Sequence, residues 1–124
     1  MINSDFTVLV VDDDPDLLEV LVIIFEGEGF KVFSAGDGGE AINLVKSKNI
    51  DVVVSDIRMP TVGGVELLKQ IKQHNPHKPI VIFVTGFSDI TEKQALEAGA
   101  SAIFTKPFNK KTLLEKIKAE LEKP

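Results

Sequence analysis

The chain has 124 residues, a net charge of −5, 44% hydrophobic and 27% charged residues, and no cysteine. Its length suits one globular domain, its composition excludes general disorder, and the lack of cysteine excludes disulfides, thiol catalysis and thiolate zinc sites. The negative charge argues against binding nucleic-acid phosphates directly, but it permits basic partners or divalent cations. The longest apolar run, VLVIIF (20–25), is far shorter than the ~20 residues of a membrane span. The N-terminus lacks the features of a signal peptide, so we expect a cytoplasmic protein without a membrane partner.

The first predicted elements are a strand and a helix. The apolar run TVLVV (7–11) predicts strand 1. A helix follows, because Asp14 can cap it, Pro15 suits its first turn, and apolar residues recur at helical spacing from Leu17 to Phe25. The run VLVIIF alone would also fit a strand, but the start at proline and the length favour a helix.

The rest of the chain repeats this alternation. Four further apolar runs predict strands 2 to 5: KVFSA (31–35), DVVVSD (51–56), PIVIFVT (79–85) and AIFTK (102–106). Helical spacing predicts helices 2 to 5 around Ala41–Val45, around Val65–Ile71, from Ser88 or Asp89 to a C-terminal Gly99, and from Leu113 to Leu121 after Asn109. Most strand runs are continuous rather than alternating, which is typical of a parallel sheet that is covered on both faces.

Five strands alternating with five helices predict a single three-layer α/β domain over residues 1–124, with a parallel sheet. Right-handed crossovers place the loops that follow the strands along one edge of such a sheet. Ligands of these folds bind at that carboxyl edge. The candidate functional residues are therefore those at the strand ends.

Complementary polar groups follow four of the predicted strands. They are Asp12 and Asp13 after strand 1, Asp56 at the end of strand 3, Thr85 at the end of strand 4, and Lys106 at the end of strand 5. Each alone has an ordinary explanation, such as helix capping, a turn or a solvated charge. Together, three carboxylates would repel each other without a cation, and hard oxygen ligands suit Mg²⁺, which also accepts phosphoryl oxygens. Since Lys106 would offset further negative charge, the pattern favours bringing a phosphoryl group to a carboxylate.

Four motifs resemble the receiver domain of bacterial two-component response regulators. They are VVDDDPD (10–16), DVVVSDIRMP-x-x-G-G (51–64), FVTGF (83–87) and FTKPF (104–108), in the family's order over essentially the whole chain. The resemblance implies a doubly wound, flavodoxin-like (βα)5 domain with strand order 2-1-3-4-5.

The resemblance also implies a Mg²⁺ site. Asp13, Asp56 and the backbone carbonyl of Arg58 would ligate the ion directly, and Asp12 would act mostly through a metal-bound water. Mg²⁺ is the only cofactor that the resemblance implies.

The phosphoryl group would be bound by three residues. Asp56 would take it from the phosphohistidine of a histidine kinase or phosphotransfer domain, Lys106 would pair with Asp56 and then with phosphoryl oxygens, and Thr85 would hydrogen-bond the group. Phosphoryl transfer needs positioning and charge neutralisation more than covalent help from the protein. The chain would thus be a signalling domain that promotes its own aspartate phosphorylation and dephosphorylation, and not a conventional enzyme.

Further implications concern signalling. Helix 4, strand 5 and helix 5 would form the surface read by a downstream output domain or protein, and helix 1 would dock the kinase. Phe104 would turn inward when Thr85 moves to the phosphoryl group, although a permanently buried core phenylalanine is the alternative; the Lys106–Pro107 peptide would be cis. We expect a monomer or a weak, phosphorylation-dependent dimer.

Two departures from the family bear on the rate at which the phosphorylated state would be hydrolysed. Arg58 stands two residues after Asp56, and Phe87 stands two residues after Thr85, at positions that govern water access in the family. Both side chains are large enough to obstruct hydrolytic water. They therefore predict a comparatively long-lived phosphorylated state.

Three other readings remain open at this point. A pseudo-receiver would keep the fold without taking phosphate, but such modules typically lose an acidic residue or the lysine. A phosphatase of the haloacid dehalogenase type would use Asp12 as nucleophile, yet Pro15-Asp16 departs from its motif. A flavodoxin needs a Gly- and hydroxyl-rich phosphate loop where this chain is acidic.

Overall fold

A computed structural model describes residues 3–86 and 91–123 of the chain. Within these ranges, the strands are β1 (Thr7–Val11), β2 (Lys31–Ala35), β3 (Val52–Ser55), β4 (Ile80–Thr85) and β5 (Ala102–Thr105). The α-helices are α1 (Pro15–Gly27), α2 (Gly38–Ser47), α3 (Gly64–His74), α4 (Glu92–Glu97) and α5 (Lys110–Leu121). A short 3-10 helix over Asn3–Asp5, which the sequence analysis did not predict, precedes β1.

The strands form one parallel sheet in the order β2-β1-β3-β4-β5. This confirms the predicted fold class and strand order. The three inner strands are buried along nearly their whole length, as their continuous valine and isoleucine runs predicted. The edge strand β2 is largely exposed, so for this strand the expectation of cover on both faces is wrong.

Successive side chains of the inner strands point into two different cores. On one face, Leu9 and Val53 pack with apolar residues of α2 and α3. On the other face, Val10 and Val54 pack with apolar residues of α1 and α5. Burial on both faces makes β1 and β3 a rigid platform for whatever follows them in the chain.

The start of α1 shows how local chemistry sets an element's boundary. The Asp14 side chain accepts hydrogen bonds from the backbone N–H groups of Asp16 and Leu17, and Pro15 occupies the first turn. Leu21 and Phe25 then lie on the buried face of the helix. The helix predicted after Asp14 is therefore confirmed, and the alternative of a strand is wrong.

The predicted start of helix 4 is wrong. Thr91 has extended backbone (ψ 165°) and caps α4, which begins at Glu92; Ser88 and Asp89 themselves lie outside the described residues. Thr91 and Gln94 form a reciprocal capping box, which the sequence analysis overlooked. At the other end, Gly99 has φ 111° just after the helix, as its predicted C-terminal role requires.

No helix in the described ranges is both long and apolar enough to cross a bilayer.

Candidate functional site

Three carboxylates meet at the carboxyl edge of the sheet. The backbone N–H of Asp12 donates to the Ala35 carbonyl at 3.2 Å, and that of Asp56 donates to the Val11 carbonyl at 3.0 Å, so sheet-like bonding continues just past β1 and β3. Asp12, Asp13 and Asp56 each offer a carboxylate oxygen, and these oxygens lie within 4.8 Å of one another. The cluster grades from buried Asp12 through half-buried Asp56 to exposed Asp13, which leaves it open to a ligand from solvent.

Lys106 reaches into this cluster from the end of β5. Its Nζ lies 3.1 Å from Asp12 Oδ2 and 3.0 Å from Asp56 Oδ2. The backbone N–H of Lys106 donates to the Thr85 carbonyl at 2.8 Å, which fixes its place beside β4. One ammonium therefore bridges two of the three carboxylates.

Burial and neighbouring charges shift the pKa values of Asp12 and Lys106. Burial raises the pKa of Asp12 above its ordinary value, against the opposing effects of the Asp14 N–H and Lys106. Desolvation lowers the pKa of Lys106, but the hydrogen bonds and charges of Asp56 and Asp12 outweigh it, so this pKa is raised. Lys106 is therefore held as a cation.

The donor set fits a hard divalent cation. Asp12 Oδ1 already accepts from the Asp14 N–H at 2.9 Å, and Asp56 Oδ1 accepts from the Ile57 N–H at 2.7 Å. These bonds orient the two carboxylates while exposed Asp13 offers further oxygen donors. Three carboxylates against one ammonium leave an excess of negative charge, and oxygen ligands of this kind suit Mg²⁺.

The other two predicted site residues, Thr85 and Arg58, lie on the strand and the loop that neighbour Asp56. Thr85 is buried at the end of β4, beside the strand that leads to Asp56. Arg58 is exposed in the loop between β3 and α3, two residues after Asp56. Phe87, the other residue predicted to limit water access, lies outside the described residues.

One prediction near β5 has a definite outcome, and the position of Phe104 bears on another. The Lys106–Pro107 peptide is cis, which confirms the expectation; Lys78–Pro79 is also cis, which was not anticipated. Phe104 is half-buried and packs against the core beneath α1 and α5. It is therefore not a fully buried core residue in this conformation.

Gly64, which was not predicted as a site residue, shapes the loop after Asp56. Gly64 opens α3 so close to the strand end that an added side chain would collide with the Asp56 carbonyl and with Ile57 Cα. Its N–H donates to the Ile57 carbonyl at 2.8 Å and closes the loop. The Gly-Gly pair within the motif at 51–64 was the available signal.

A comparison with known families agrees with this geometry. The sequence profile described as "Response regulator receiver domain" matches residues 8–118. The chain belongs to the response regulator receiver family. The matched range includes the carboxylate cluster and Lys106.

Related proteins place this receiver domain among response regulators. It is 34% identical over 116 residues to the DNA-binding response regulator MtrA of Mycolicibacterium smegmatis, covering 94% of this chain and 50% of the relative. It is 33% identical over 114 residues to the transcriptional regulatory protein GlrR of Escherichia coli, covering 92% of this chain and 26% of the relative. The chain thus spans half or less of the length of these curated relatives.

Solved structures of receiver domains also resemble this chain. A CheY-like receiver domain from Methanospirillum hungatei matches with a TM-score of 0.87 and 35% identity, covering 94% of each chain. A chain of the CheX–CheY–BeF3–Mg²⁺ complex from Borrelia burgdorferi matches with a TM-score of 0.87 and 32% identity, covering 95% of this chain and 90% of that one. Fold and family are therefore established together.

Proposed function

We propose that this receiver domain is a phosphoaccepting switch of a two-component phosphorelay, and that Asp56 takes the phosphoryl group from a phosphohistidine of a histidine kinase or phosphotransfer domain. The observation that carries the proposal is the position of Asp56: it ends a rigid central strand, within a group of three carboxylates and 3.0 Å from the Lys106 ammonium. A structural aspartate would gain nothing from two like charges beside it.

Each residue of the site would have a separate role in phosphoryl transfer. A carboxylate oxygen of Asp56 attacks phosphorus while the bond from phosphorus to the histidine nitrogen breaks. The Ile57 N–H, 2.7 Å from Asp56 Oδ1, holds the nucleophile in place. Lys106 neutralises charge on the phosphoryl oxygens, and Thr85, at the neighbouring strand end, donates a hydrogen bond to them.

Asp13, Asp56 and the Arg58 carbonyl would hold Mg²⁺, with Asp12 acting through a bound water. When bound, the ion supplies positive charge against the phosphoryl oxygens and cancels the repulsion among the carboxylates. The hard oxygen donors and the uncompensated charge of the cluster support this assignment.

The output of the switch would be read on α4, β5 and α5, by an attached domain or a separate protein. In α4, from Glu92 to Glu97, Ala95 is the buried residue and Leu96 is 44% exposed. Because few of its residues are buried, α4 should have low local stability, which suits a helix that shifts on activation. On α1, Val20 and Ile23 are exposed apolar residues that suit kinase docking.

The setting follows from this role. The domain would act in the cytoplasm, as a monomer or a weak phosphorylation-dependent dimer, and without contacting nucleic acid or membrane itself. It would promote its own phosphorylation and dephosphorylation. Exposed Arg58 beside the acceptor, together with Phe87, would slow hydrolysis and lengthen the phosphorylated state.

Acetyl phosphate with Mg²⁺, followed by intact-mass measurement, tests the proposal. The natural chain should gain the mass of one phosphoryl group, Asp56→Asn should gain none, and the matched control Asp16→Asn, changed at an exposed aspartate of α1, should be labelled like the natural chain. Label that persists in Asp56→Asn but disappears in Asp12→Asn would point to phosphatase-like chemistry. A natural chain that takes no label would be a pseudo-receiver.

A further inference from the structure

The first turn of α2 contacts the loop that follows Asp56, and it does so through a glycine. Gly38 is buried, and an added Cβ there would lie 2.5 Å from the Val62 carbonyl oxygen, 2.6 Å from Val62 Cγ1 and 2.8 Å from Val62 Cβ. Real Cβ atoms essentially never approach so closely. The backbone of Gly38 lies outside the left-handed region, so contact with Val62, and not conformation, excludes a side chain.

The contacted loop, residues 57–63, has an unfavourable backbone conformation. Thr61 has φ 68°, in the left-handed region that β-branched residues rarely adopt. The Val62 N–H donates to the Pro60 carbonyl at 2.8 Å, which closes a tight turn around Thr61. A strained conformation of this kind persists only when surrounding contacts hold it.

We propose that Gly38 is a positioning residue for the metal site, acting through Val62. The absence of a side chain at position 38 lets α2 seat against the Val62 backbone, and this contact holds the loop in the conformation that presents the Arg58 carbonyl beside Asp56. The inference rests on the proposed function, because it assigns a purpose to the loop that would complete the Mg²⁺ ligand set. Gly38 lies on α2 and is distant in sequence from every proposed Mg²⁺ ligand.

The chain supplies its own matched control at the next position. Gly39 also lies in the first turn of α2, but a Cβ there would meet only the Asp37 Oδ1 at 3.3 Å. Alanine raises helix propensity equally at both positions. A loss of Mg²⁺ affinity in Gly38→Ala that is absent in Gly39→Ala therefore reports the contact with Val62.

The test is a calorimetric titration of each folded variant with Mg²⁺ alone, beside urea unfolding in EDTA. Gly38→Ala should weaken Mg²⁺ affinity at least tenfold and lower the unfolding midpoint, whereas Gly39→Ala should bind within twofold of the natural chain. A purely structural effect would lower the midpoint of Gly38→Ala and leave the affinity of the folded protein unchanged. Equal Mg²⁺ affinity in the two folded variants would therefore overturn the inference.

A second variant approaches the contact from the loop side. Val62→Ala removes Cγ1, which lies nearest Gly38 among the valine side-chain atoms, from a half-buried position. It should weaken Mg²⁺ affinity severalfold even if Gly38→Ala does not fold, and unchanged affinity in that case would refute the positioning role. Failure of the natural chain to bind Mg²⁺ would instead remove the proposed function, a result distinct from both.

Discussion

An aspartate–lysine pair flanks β3 at each edge of the sheet. Asp56 with Lys106 stands at the carboxyl edge, and Asp51 with Lys78 stands at the amino edge. In both pairs the lysine precedes a proline. The residue types match, yet the surroundings differ in one decisive respect, the balance of charge.

At the amino edge the charges of Asp51 and Lys78 balance each other. Asp51 Oδ2 accepts from the Thr7 N–H at 2.8 Å, and Asp51 Oδ1 lies 2.8 Å from Lys78 Nζ. Lys78 Nζ also donates to Asn49 Oδ1 at 3.1 Å. One carboxylate and one ammonium thus join the starts of β1, β3 and β4, an arrangement that serves the fold.

At the carboxyl edge one ammonium faces three carboxylates. The excess negative charge costs stability, and a bound divalent cation would relieve it. An aspartate–lysine pair alone is therefore no sign of function. The unbalanced charge beside it is the distinguishing feature, and three predictions test this comparison.

The largest contrast is expected between the two lysines. Lys106→Met should slow labelling by acetyl phosphate by about 100-fold, because it removes a cation from the reacting group. Lys78→Met should be labelled at the natural rate. Intact-mass measurements over time give the labelling rates. If both variants were labelled comparably slowly, the proposed difference between the two edges of the sheet would be wrong.

Asp51→Ala should lower the free energy of unfolding by about 2 kcal/mol, because the Thr7 N–H loses its acceptor and Lys78 loses its partner. Urea unfolding in EDTA, followed by circular dichroism, measures this change. Asp51 is mostly covered, with 13% of its side chain exposed, so the lost bonds are only partly replaced by water. A change below ~0.5 kcal/mol would show that this pair does not stabilise the fold.

Asp13→Asn should act in the opposite direction and more weakly. Removing one of three neighbouring negative charges should raise the free energy of unfolding in EDTA by about 1 kcal/mol. The same variant should lose most of the stabilisation that millimolar Mg²⁺ gives the natural chain. Asp16→Asn, outside the cluster, is the control; destabilisation by Asp13→Asn in EDTA would contradict the charge imbalance.

Much of the fold and site was predictable because it depends on local patterns and one rule of topology. The valine run before Asp56 predicted a buried strand, and parallel strands bring Asp12 and Asp56 to one edge without further assumptions. The start of α4 was not predicted, because the Thr91–Gln94 capping box was overlooked among several polar residues able to cap a helix.

Position along the chain already separated the two lysines. Both precede a proline, but Lys106 ends predicted strand 5, whereas Lys78 precedes predicted strand 4. Only the packed sheet shows that Lys78 meets a single carboxylate and Lys106 meets two. Their difference depends on which distant residues each one reaches.

The amino-acid sequence by itself determined the alternation of strands and helices and the chemical groups at each strand end, because periodicity and capping act within a few residues. Only the tertiary structure decided that Gly38 must lack a side chain, that Thr61 is held in a left-handed conformation, and that Asp51 is neutralised. Those properties depend on distances between segments remote in the chain, and such distances exist only once the sheet and its helices have packed.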